Sequence, residues 1–315
     1  MTSQFENQSL TQKIKNLFVG EDFFKTGISK IRELENEKIY FKKWLDEKRN
    51  ADMAWLEKSL EKRTNPELLN EEFKSVISAA YLYDTPFNHD EKPETGKISR
   101  YAWGSGDYHK LLKKKLKDIC EEIELFEKGI KTKYYIDDGP VMDKVWAVNS
   151  GIGWMGKNTN VINPEYGSFF FICEILINRE LEYEKPIEDL CESCNICLNA
   201  CPTGALYEPY KLDANFCISY HTIENKNEIP DYINLNGWIF GCDICQDVCP
   251  FNKSKIFTEE KSFYPIEKTY NKSLNELEKI TEEEFNELLK SSPVKRTKFS
   301  GWKRNIKKAK REQEM

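Results

Sequence analysis

Several features that would assign this 315-residue chain to a common class are missing from its sequence. No apolar stretch reaches the length of a membrane span, and the N-terminus carries neither a twin arginine nor a cleavage site. The absence of a G-x-x-x-x-G-K-[ST] loop argues against ATP binding, and the net charge of −6 gives no global positive field for nucleic acid. We therefore expect a cytoplasmic protein without a membrane partner.

Cysteine, in contrast, is abundant, with ten residues. Eight of them form two related runs, Cys191-x2-Cys194-x2-Cys197-x3-Cys201-Pro202 and Cys242-x2-Cys245-x3-Cys249-Pro250, with Cys217 between the runs. Three thiolates at such short spacing wrap three corners of a four-iron cluster, whereas the Cys before Pro reaches a second cluster. The pattern predicts two iron–sulfur cubes and transfer of single electrons.

The same rule divides the eight cysteines between the clusters. Ile239 stands where the second run lacks its first Cys, so Cys217 is the natural substitute. The predicted ligand sets are Cys191, Cys194, Cys197 and Cys249 for one cluster and Cys201, Cys217, Cys242 and Cys245 for the other. Structural zinc and a disulfide framework are the alternatives. Cys120 and Cys173 are interpreted as buried free thiols.

Helix and strand patterns are mixed along the first half of the chain. Residues 1 to about 70 are predicted to be helical, with Ile28, Ile31 and Leu34 on one face. Apolar residues recur at helical spacing from Tyr108 to Phe126. Ser75–Tyr83, Lys133–Ile136 and Ser168–Asn178 are predicted strands, the last too apolar for a sheet edge, and Val141–Asn149 is a predicted helix.

These elements predict an α+β fold, a mixed α/β catalytic part followed by a ferredoxin-like two-cluster module and a helical C-terminal segment. The predicted domain boundaries are 1–180, 181–255 and 256–315. The last segment is basic, with Phe299 and Trp302 interleaved among its cations. Such a run either contacts a phosphate backbone or is simply a solvated face. Its basic residues are Lys295, Arg296, Lys298, Lys303, Arg304, Lys307, Lys308, Lys310 and Arg311.

Two shorter segments each have two interpretations. Gly151-x-Gly153-x-x-Gly156 follows a helix pattern instead of a strand, so it is a weak dinucleotide motif. Its glycines either let the backbone approach a bulky ligand or satisfy turn geometry. Asp137, at a predicted strand end before Asp138-Gly139-Pro140, is either a proton donor with a pKa raised by partial burial or a residue that caps the turn.

Taken together, several motifs resemble the epoxyqueuosine reductase family over most of the chain. They are Glu61-Lys62-Arg63 with Asn65-Pro66, Arg100-Tyr101-Ala102-Trp103 leading to Asp107-Tyr108-His109, Asp137-x-Gly139-Pro140-Val141, Gly151-x-Gly153-Trp154-x-Gly156-Lys157-Asn158, Cys217-Ile218-Ser219-Tyr220-x-Thr222-Ile223-Glu224-x-Lys226, and Gly241-Cys242-Asp243-x-Cys245-Gln246.

The resemblance implies an oxidoreductase that converts epoxyqueuosine in the tRNA anticodon to queuosine, the last step of queuosine biosynthesis. It implies cobalamin and two 4Fe-4S clusters as cofactors, with electrons passing from cluster to cluster to cobalt and Asp137 as proton donor. The positions that match cobalamin contacts are Arg63, Ser99, Asp137, Val161, Ile172, Ser219, Lys226 and Asp243. The expected partners are this tRNA and an electron donor that the sequence does not identify, and the chain is expected to be a monomer.

The sequence departs from the family pattern at His221 and Asp138, and its C-terminal region is short. No D-x-H-x-x-G string supplies a lower cobalt ligand, so cobalamin is expected to bind without one. A corrinoid reductive dehalogenase is an alternative, although no twin-arginine signal is present. A two-cluster electron carrier is another, although the 190 residues before Cys191 would then lack a purpose.

Overall fold

The computed structural model describes residues 9–253 and 256–314, so the first eight residues of the N-terminus lie outside the described residues. No helix within these ranges is both long enough and apolar enough to cross a bilayer. The helices are α1 Leu10–Gly20, α2 Glu35–Asp46, α3 Trp55–Lys58, α4 Leu60–Thr64, α5 Tyr108–Phe126, α6 Asp143–Asn149, α7 Ile196–Ala200, α8 Ile218–Ile223, α9 Ile244–Asp247, α10 Leu274–Glu278, α11 Glu282–Leu288 and α12 Lys298–Gln313. The strands are β1 Lys25–Lys30, β2 Ser75–Leu82, β3 Lys97–Ile98, β4 Thr132–Tyr135, β5 Trp154–Met155, β6 Val161–Ile162, β7 Phe170–Ile177 and β8 Trp238–Phe240.

A four-stranded antiparallel sheet in the order β1-β2-β7-β4 organises the N-terminal half. Every residue of β2 is buried. Strand β7 lies between β2 and β4, which confirms that β7 is not an edge strand. The antiparallel pairing gives no Rossmann unit in this sheet. The mixture of helix and sheet confirms the predicted α+β class.

The two faces of the sheet are covered by different helices because side chains alternate along a strand. On one face, Ile77 and Ile175 pack with Leu112 and Leu116 of α5. On the other, Val76 and Leu176 pack with Trp146 of α6. Helix α5 begins where Asp107 accepts a hydrogen bond from His109 N, and it has the bounds predicted from its apolar spacing.

The prediction of helices throughout residues 1–70 was wrong in one segment. Residues 25–30 form strand β1, in which Ile28 lies opposite Ile77 of β2. Ile28 and Ile31 match a helical spacing, but pairing with a buried strand satisfies the backbone of β1 and outweighs this local preference. Gly27 of this strand also lies against α6, since a Cβ there would be 1.7 Å from Ser150 O.

A second core joins all three predicted domains. Strand β3, from the N-terminal part, pairs in parallel with β8 of the cluster module. Trp302 and Ile306 of α12 are fully buried in this core together with Ile239 and Phe240. The predicted boundaries at 180 and 255 stay predictions, but the chain segments on either side of them share one core.

Part of the basic C-terminal segment has a structural role. The guanidinium of Arg304 donates hydrogen bonds to the carbonyl oxygens of His221, Asn225 and Asn227 and to Asn305 Oδ1. Lys308 is 3% exposed, and the ammonium of Lys310 lies 2.5 Å from a carboxylate oxygen of Glu278. The interpretation of the whole run as a phosphate contact is therefore too broad, and only exposed members such as Lys298 and Lys307 remain candidates.

Replacing Arg304 by Ala is expected to destabilise the fold by about 2–3 kcal/mol, because several carbonyl oxygens lose a charged donor. Thermal unfolding under anaerobic conditions, followed by circular dichroism, measures the effect. Lys307→Ala, a change of an exposed cation in the same helix, is the control and should leave the midpoint unchanged. Equal midpoints for the two variants would contradict this structural role.

Candidate active site and cluster centres

Four of the eight cysteines approach one another at the first cluster position. The pKa of Cys197 is raised by burial and, to a smaller degree, by the thiols of Cys191, Cys249 and Cys194. The pKa of Cys249 is likewise raised by burial and then by Cys191 and Cys194. These electrostatic interactions require short separations, so Cys249 joins the first run despite lying more than fifty residues later.

The remaining four cysteines form a second group. Burial raises the pKa of Cys245, and the thiols of Cys217 and Cys201 raise it further. The pKa of Cys242 is raised by burial and then by Cys245 and Cys217. Cys201, at the end of α7, and Cys217, at the start of α8, thus lie with the second run. The two groups are the predicted ligand sets, and their role as cluster ligands stays a prediction.

The thiols do not form a single-ion site in the described part of the chain. Within residues 9–253 and 256–314, no three His, Cys, Asp or Glu side chains converge closely enough to hold one metal ion. A cube binds each thiolate at a separate iron corner, so its ligands need not converge on one point. All ten cysteines are free thiols, so the disulfide alternative is not realised.

The glycine-rich segment supports the cluster module. A Cβ at Gly153 would lie 2.1 Å from Ile162 O, so this glycine permits close packing within the chain. Lys157 Nζ donates to Glu192 O at 2.6 Å, and Asn158 Nδ2 donates to Cys245 O at 3.1 Å. These contacts favour the interpretation that the glycines satisfy turn geometry. Lys157 and Asn158 hold the loops that carry Cys191 and Cys245, respectively.

Trp154 contacts a predicted cluster ligand directly. Its indole Nε1 lies 3.4 Å from Cys191 Sγ, and the side chain is 1% exposed. The ring also packs edge-on against Phe251, just after Cys249-Pro250. A donor to a cluster thiolate stabilises the more negative, reduced state of the cluster and so raises its reduction potential.

Replacing Trp154 by Phe is expected to lower the reduction potential of that cluster by about 20–60 mV, the electrical equivalent of one hydrogen bond for a one-electron couple. Redox titration followed by electron paramagnetic resonance measures the potential. Trp55→Phe, at an exposed indole far from the cysteines in sequence, is the control. An unchanged potential in Trp154→Phe would mean that the indole does not act on the cluster.

Asp137 is held in an unusual conformation beside two aromatic side chains. Its φ of 58° lies in the left-handed region. Tyr108 Oη donates to Asp137 Oδ2 at 2.5 Å, and His109 Nε2 lies 3.9 Å from the same oxygen. The Asp137 side chain is 63% exposed, so the protein alone does not bury it as the sequence interpretation expected.

The turn is capped by the neighbouring residue. Asp138 Oδ1 accepts a hydrogen bond from Ile136 N at 3.2 Å, and Asp138 Oδ2 lies 2.5 Å from the ammonium of Lys113. Burial acts to raise the pKa of Asp138, but Lys113 and the Ile136 amide hold it below its ordinary value. Asp137 is therefore free of the capping role and directs its carboxyl elsewhere.

Lys144 connects Asp137 with the second cysteine group. Its side chain is exposed, yet desolvation lowers its pKa, as expected for an ammonium inside a cleft. The charges that oppose this shift belong to Cys245, Asp137, Asp143 and Cys217. The exposed carboxyl of Asp137 and two of the predicted cluster ligands therefore lie around one lysine, and we call the space between them the cleft at Lys144.

The positions that match cobalamin contacts, apart from Asp137 itself, fall into four places. Val161 and Ile172 meet in one apolar cluster on the α6 face of the sheet. Arg63, in α4, donates to Val141 O, and its guanidinium interacts with the charges of Asp143 and Asp137. Ser219 is half-buried in α8, close in sequence to the exposed Lys226.

The last two positions, Ser99 and Asp243, bond to each other. Ser99 Oγ donates to Asp243 Oδ1 at 2.5 Å, and Arg100 N donates to Asp243 Oδ2 at 2.8 Å. Any contact that they make with a cofactor would have to use their backbone. Tyr101 links this pair to Asp137, because its pKa is raised by burial and then by the charges of Asp137 and Asp243.

A cavity of about 500 Å³ lies elsewhere. It is lined by His89, Lys97, Trp238 and Asp247 among others, and it includes none of the eight cobalamin-matching positions. This cavity does not include Lys144, and the cleft at Lys144 is a separate site. Its lining of exposed polar groups and half-buried apolar ones fits a large ligand with amide-bearing side chains, as cobalamin is.

Sequence analysis assigned no chemical role to several residues of this cleft. Tyr108 was counted only as part of an apolar helix face, although its hydroxyl is the hydrogen-bond donor to Asp137. Lys144, Asp143 and Glu174 were not singled out. The motif Asp107-Tyr108-His109 was the available signal for Tyr108, whereas no local pattern distinguishes a buried Glu174 within an apolar strand.

Comparison with known proteins covers nearly the whole chain. A family profile described as "Epoxyqueuosine reductase QueG, DUF1730" matches residues 63–138, and one described as "4Fe-4S double cluster binding domain" matches residues 190–252. An epoxyqueuosine reductase of Atelocyanobacterium thalassa (isolate ALOHA) is 42% identical over 307 residues, covering 95% of this chain and 98% of the relative. One of Salmonella typhimurium is 35% identical, covering 97% and 81%.

Solved structures agree with the sequence relatives. A selenomethionine-labelled epoxyqueuosine reductase superposes with a TM-score of 0.86 at 30% identity, covering 96% of this chain and 82% of that one. An epoxyqueuosine reductase with a tRNA-Tyr epoxyqueuosine-modified stem loop superposes with a TM-score of 0.84 at 30% identity, covering 96% and 80%. The similarity therefore includes both the sheet and the cluster module.

Proposed function

The chain belongs to the epoxyqueuosine reductase family, and from this premise we propose that it reduces epoxyqueuosine to queuosine in the anticodon of tRNA. The observation that carries the proposal is the cleft at Lys144, which contains the exposed carboxyl of Asp137 and also adjoins Cys217 and Cys245. A proton donor and an electron source thus meet in one place, as a reductive removal of oxygen requires.

The electrons would come from the two 4Fe-4S clusters. Cys245 interacts electrostatically with Cys197 of the other group, so the two predicted clusters are neighbours. The group nearer Lys144 is the second one, held by Cys201, Cys217, Cys242 and Cys245. Electrons entering at the first cluster would therefore leave through the second, on the side that faces Asp137.

Cobalamin is the cofactor that the family implies, and the cleft supports its binding. Arg63, Ile172, Ser219 and Lys226 would contact it with side chains, and Ser99 and Asp243 with backbone atoms. When bound, it supplies a cobalt centre that accepts electrons singly and reacts strongly with carbon. Its binding would also bury Asp137, which is exposed in the protein alone.

Asp137 would supply protons to the epoxide oxygen. Reduction to the cyclopentene breaks both carbon–oxygen bonds, consumes two electrons and two protons, and releases the oxygen as water. Negative charge develops on that oxygen, and a neutral carboxyl within hydrogen-bond reach stabilises it by donation. Tyr108 fixes the direction of the Asp137 carboxyl through the hydrogen bond at its Oδ2.

The tRNA would approach over the exposed basic residues beside this cleft. Arg296 interacts electrostatically with Tyr101, next to Asp137, and the charges of Arg296 and Lys298 both act on Lys226. These cations suit phosphates that flank the modified nucleotide. A tRNA substrate agrees with the predicted cytoplasmic location. The monomeric state and the unidentified electron donor stay predictions.

The deciding experiment is anaerobic incubation of the reconstituted protein, cobalamin and a chemical reductant with tRNA that carries epoxyqueuosine. Nucleoside mass analysis should show the loss of one oxygen. An unchanged nucleoside, with clusters and cobalamin fully loaded, would reject the proposal. The same preparation would then be tested on halogenated aromatic compounds for the dehalogenase alternative.

A further inference from the structure

A buried glutamate lies directly behind this cleft. Glu174 is fully buried in β7, between Ser78 of β2 and Tyr135 of β4 in the register of the sheet. It shares the α6 face of the sheet with Ile172, two residues earlier in the strand. Neither of its carboxyl oxygens receives a hydrogen bond from any described donor.

The side chain of Glu174 meets a second carboxyl, that of Asp143 in α6. Asp143 Oδ1 is also buried without a donor. Two ionised carboxylates can only accept hydrogen bonds, so they cannot bond to each other. A single shared proton converts one of them into a donor and satisfies the contact. An ionised Glu174 without a donor would be a costly buried charge.

The buried pair faces charged groups of both signs. Arg63 and Lys144 are the cations that interact with Asp143, while Asp137 is the third carboxyl of the cluster. Ser78 Oγ, also without a partner, and Tyr135 flank Glu174 in the sheet, and the thiol of Cys173 is its neighbour in β7.

The pKa shifts of Glu174 and Asp143 support a proton shared between the two carboxyls. The pKa of Glu174 is raised well above its ordinary value by burial and then by Asp143. That of Asp143 is raised, mainly by burial and with a contribution from Asp137, despite the opposing effect of Arg63. A raised pKa favours retention of one proton on the pair, and the pair loses this proton as the pH rises through that elevated pKa.

The proposed reaction requires a proton that this pair can supply. Both protons of the proposed reduction are delivered to one oxygen, the first when the epoxide opens and the second when the oxygen leaves as water. A single Asp137 carboxyl carries one proton at a time. Once cofactor and nucleoside cover Asp137, bulk water no longer reaches it freely, so the second proton must come from inside the protein.

We propose that Asp143 and Glu174 form an internal proton store that reprotonates Asp137 between the two proton transfers of one turnover. This inference rests on the proposed function. After Asp137 protonates the opened epoxide oxygen, the Asp143–Glu174 pair transfers its proton to the Asp137 carboxylate and becomes doubly ionised. Asp137 then protonates the departing oxygen, and the pair recovers its proton from solvent after the product leaves.

The test uses Glu174→Gln in the full-length, fully loaded protein. Glutamine keeps the size of Glu174 and can donate a hydrogen bond to Asp143, but it holds no exchangeable acid proton. We expect kcat to fall on the order of 10²-fold, with KM and cofactor loading unchanged. Glu184→Gln is the control, because it is the same chemical change at a partly buried carboxyl that pairs with Lys15 and accepts from Ile28 N.

A second measurement does not depend on turnover. Infrared spectroscopy of the protein at neutral pH should show the stretching band of a protonated carboxyl that is absent in Glu174→Gln and present in Glu184→Gln. Its intensity should fall as the pH rises through the pKa of the pair, and the wild-type rate should fall in parallel. An inactive wild-type protein with this band would reject the proposed function but not the shared proton.

Three results would overturn the inference. They are a wild-type protein without the band, a Glu174→Gln variant that keeps it, or a Glu174→Gln variant with wild-type kcat. Should Glu174→Gln fail to fold, Asp143→Asn is subjected to the same measurements, because Asp143 is less buried. A purely structural pair would tolerate either amide, since each preserves the hydrogen bond.

Discussion

Asp137→Asn is expected to lower turnover on epoxyqueuosine tRNA by about 10²- to 10⁴-fold while both clusters and cobalamin remain bound. Asparagine has the same shape, accepts the hydrogen bond from Tyr108 and tolerates the left-handed φ of 58° at this position. It lacks only the acidic proton. The loss should therefore be a loss of chemistry and not of folding.

The measurement is the rate of queuosine formation under saturating reductant, with iron content and the cobalamin absorption spectrum recorded on the same sample. Asp138→Asn is the matched control, because its carboxyl caps the turn and pairs with Lys113 at the neighbouring position. Its turnover should stay close to wild type. A fully loaded Asp137→Asn protein that remains active would remove the proton-donor role.

Cys217→Ser is expected to remove one cluster and with it nearly all turnover. Cys217 is the least obvious of the eight predicted ligands, because it stands alone between the two runs of cysteines. Its thiol nevertheless lies with those of Cys201, Cys242 and Cys245. A hydroxyl is a poor substitute for a thiolate at iron, so this cluster should not assemble, whereas the other has its four cysteines intact.

Iron and sulfide analysis should give about half of the wild-type content, and electron paramagnetic resonance should retain the signal of one cluster. Cys120→Ser, a change of a buried thiol in α5, should keep the full content. Full iron in Cys217→Ser would contradict the ligand assignment. Loss of both clusters would mean that the two do not assemble independently.

Local sequence patterns predicted the strongest elements well. Helix α5 has long apolar periodicity and a capping Asp107, and both signals are contained within the helix itself. Strands β2 and β7 are nearly continuous apolar runs and lie in the interior of the sheet. Strand β1 was missed because its residues are only partly apolar, and its pairing partner lies about fifty positions later.

Contacts between residues that are distant in sequence also decide which charged side chains are exposed. The C-terminal run of cations suggested a surface for phosphate, because a sequence displays every basic residue as if it were solvated. In the fold, Arg304 binds backbone carbonyls and Lys308 is buried, so these two cations stabilise the core. Which members of a charged run face solvent depends on the packing of α12 against β8.

The sequence by itself determined the iron–sulfur module, since the ligand rule depends on spacing along the chain, and it directed attention to Asp137 through the turn that contains it. Only the tertiary structure decided that Asp138 caps this turn, that Tyr108 orients Asp137, and that Glu174 meets Asp143 behind it. Spacing constrains atoms that are close in sequence. The donors, charges and desolvation that set the chemistry of a carboxyl come from elements that are distant in sequence and adjacent only in the fold.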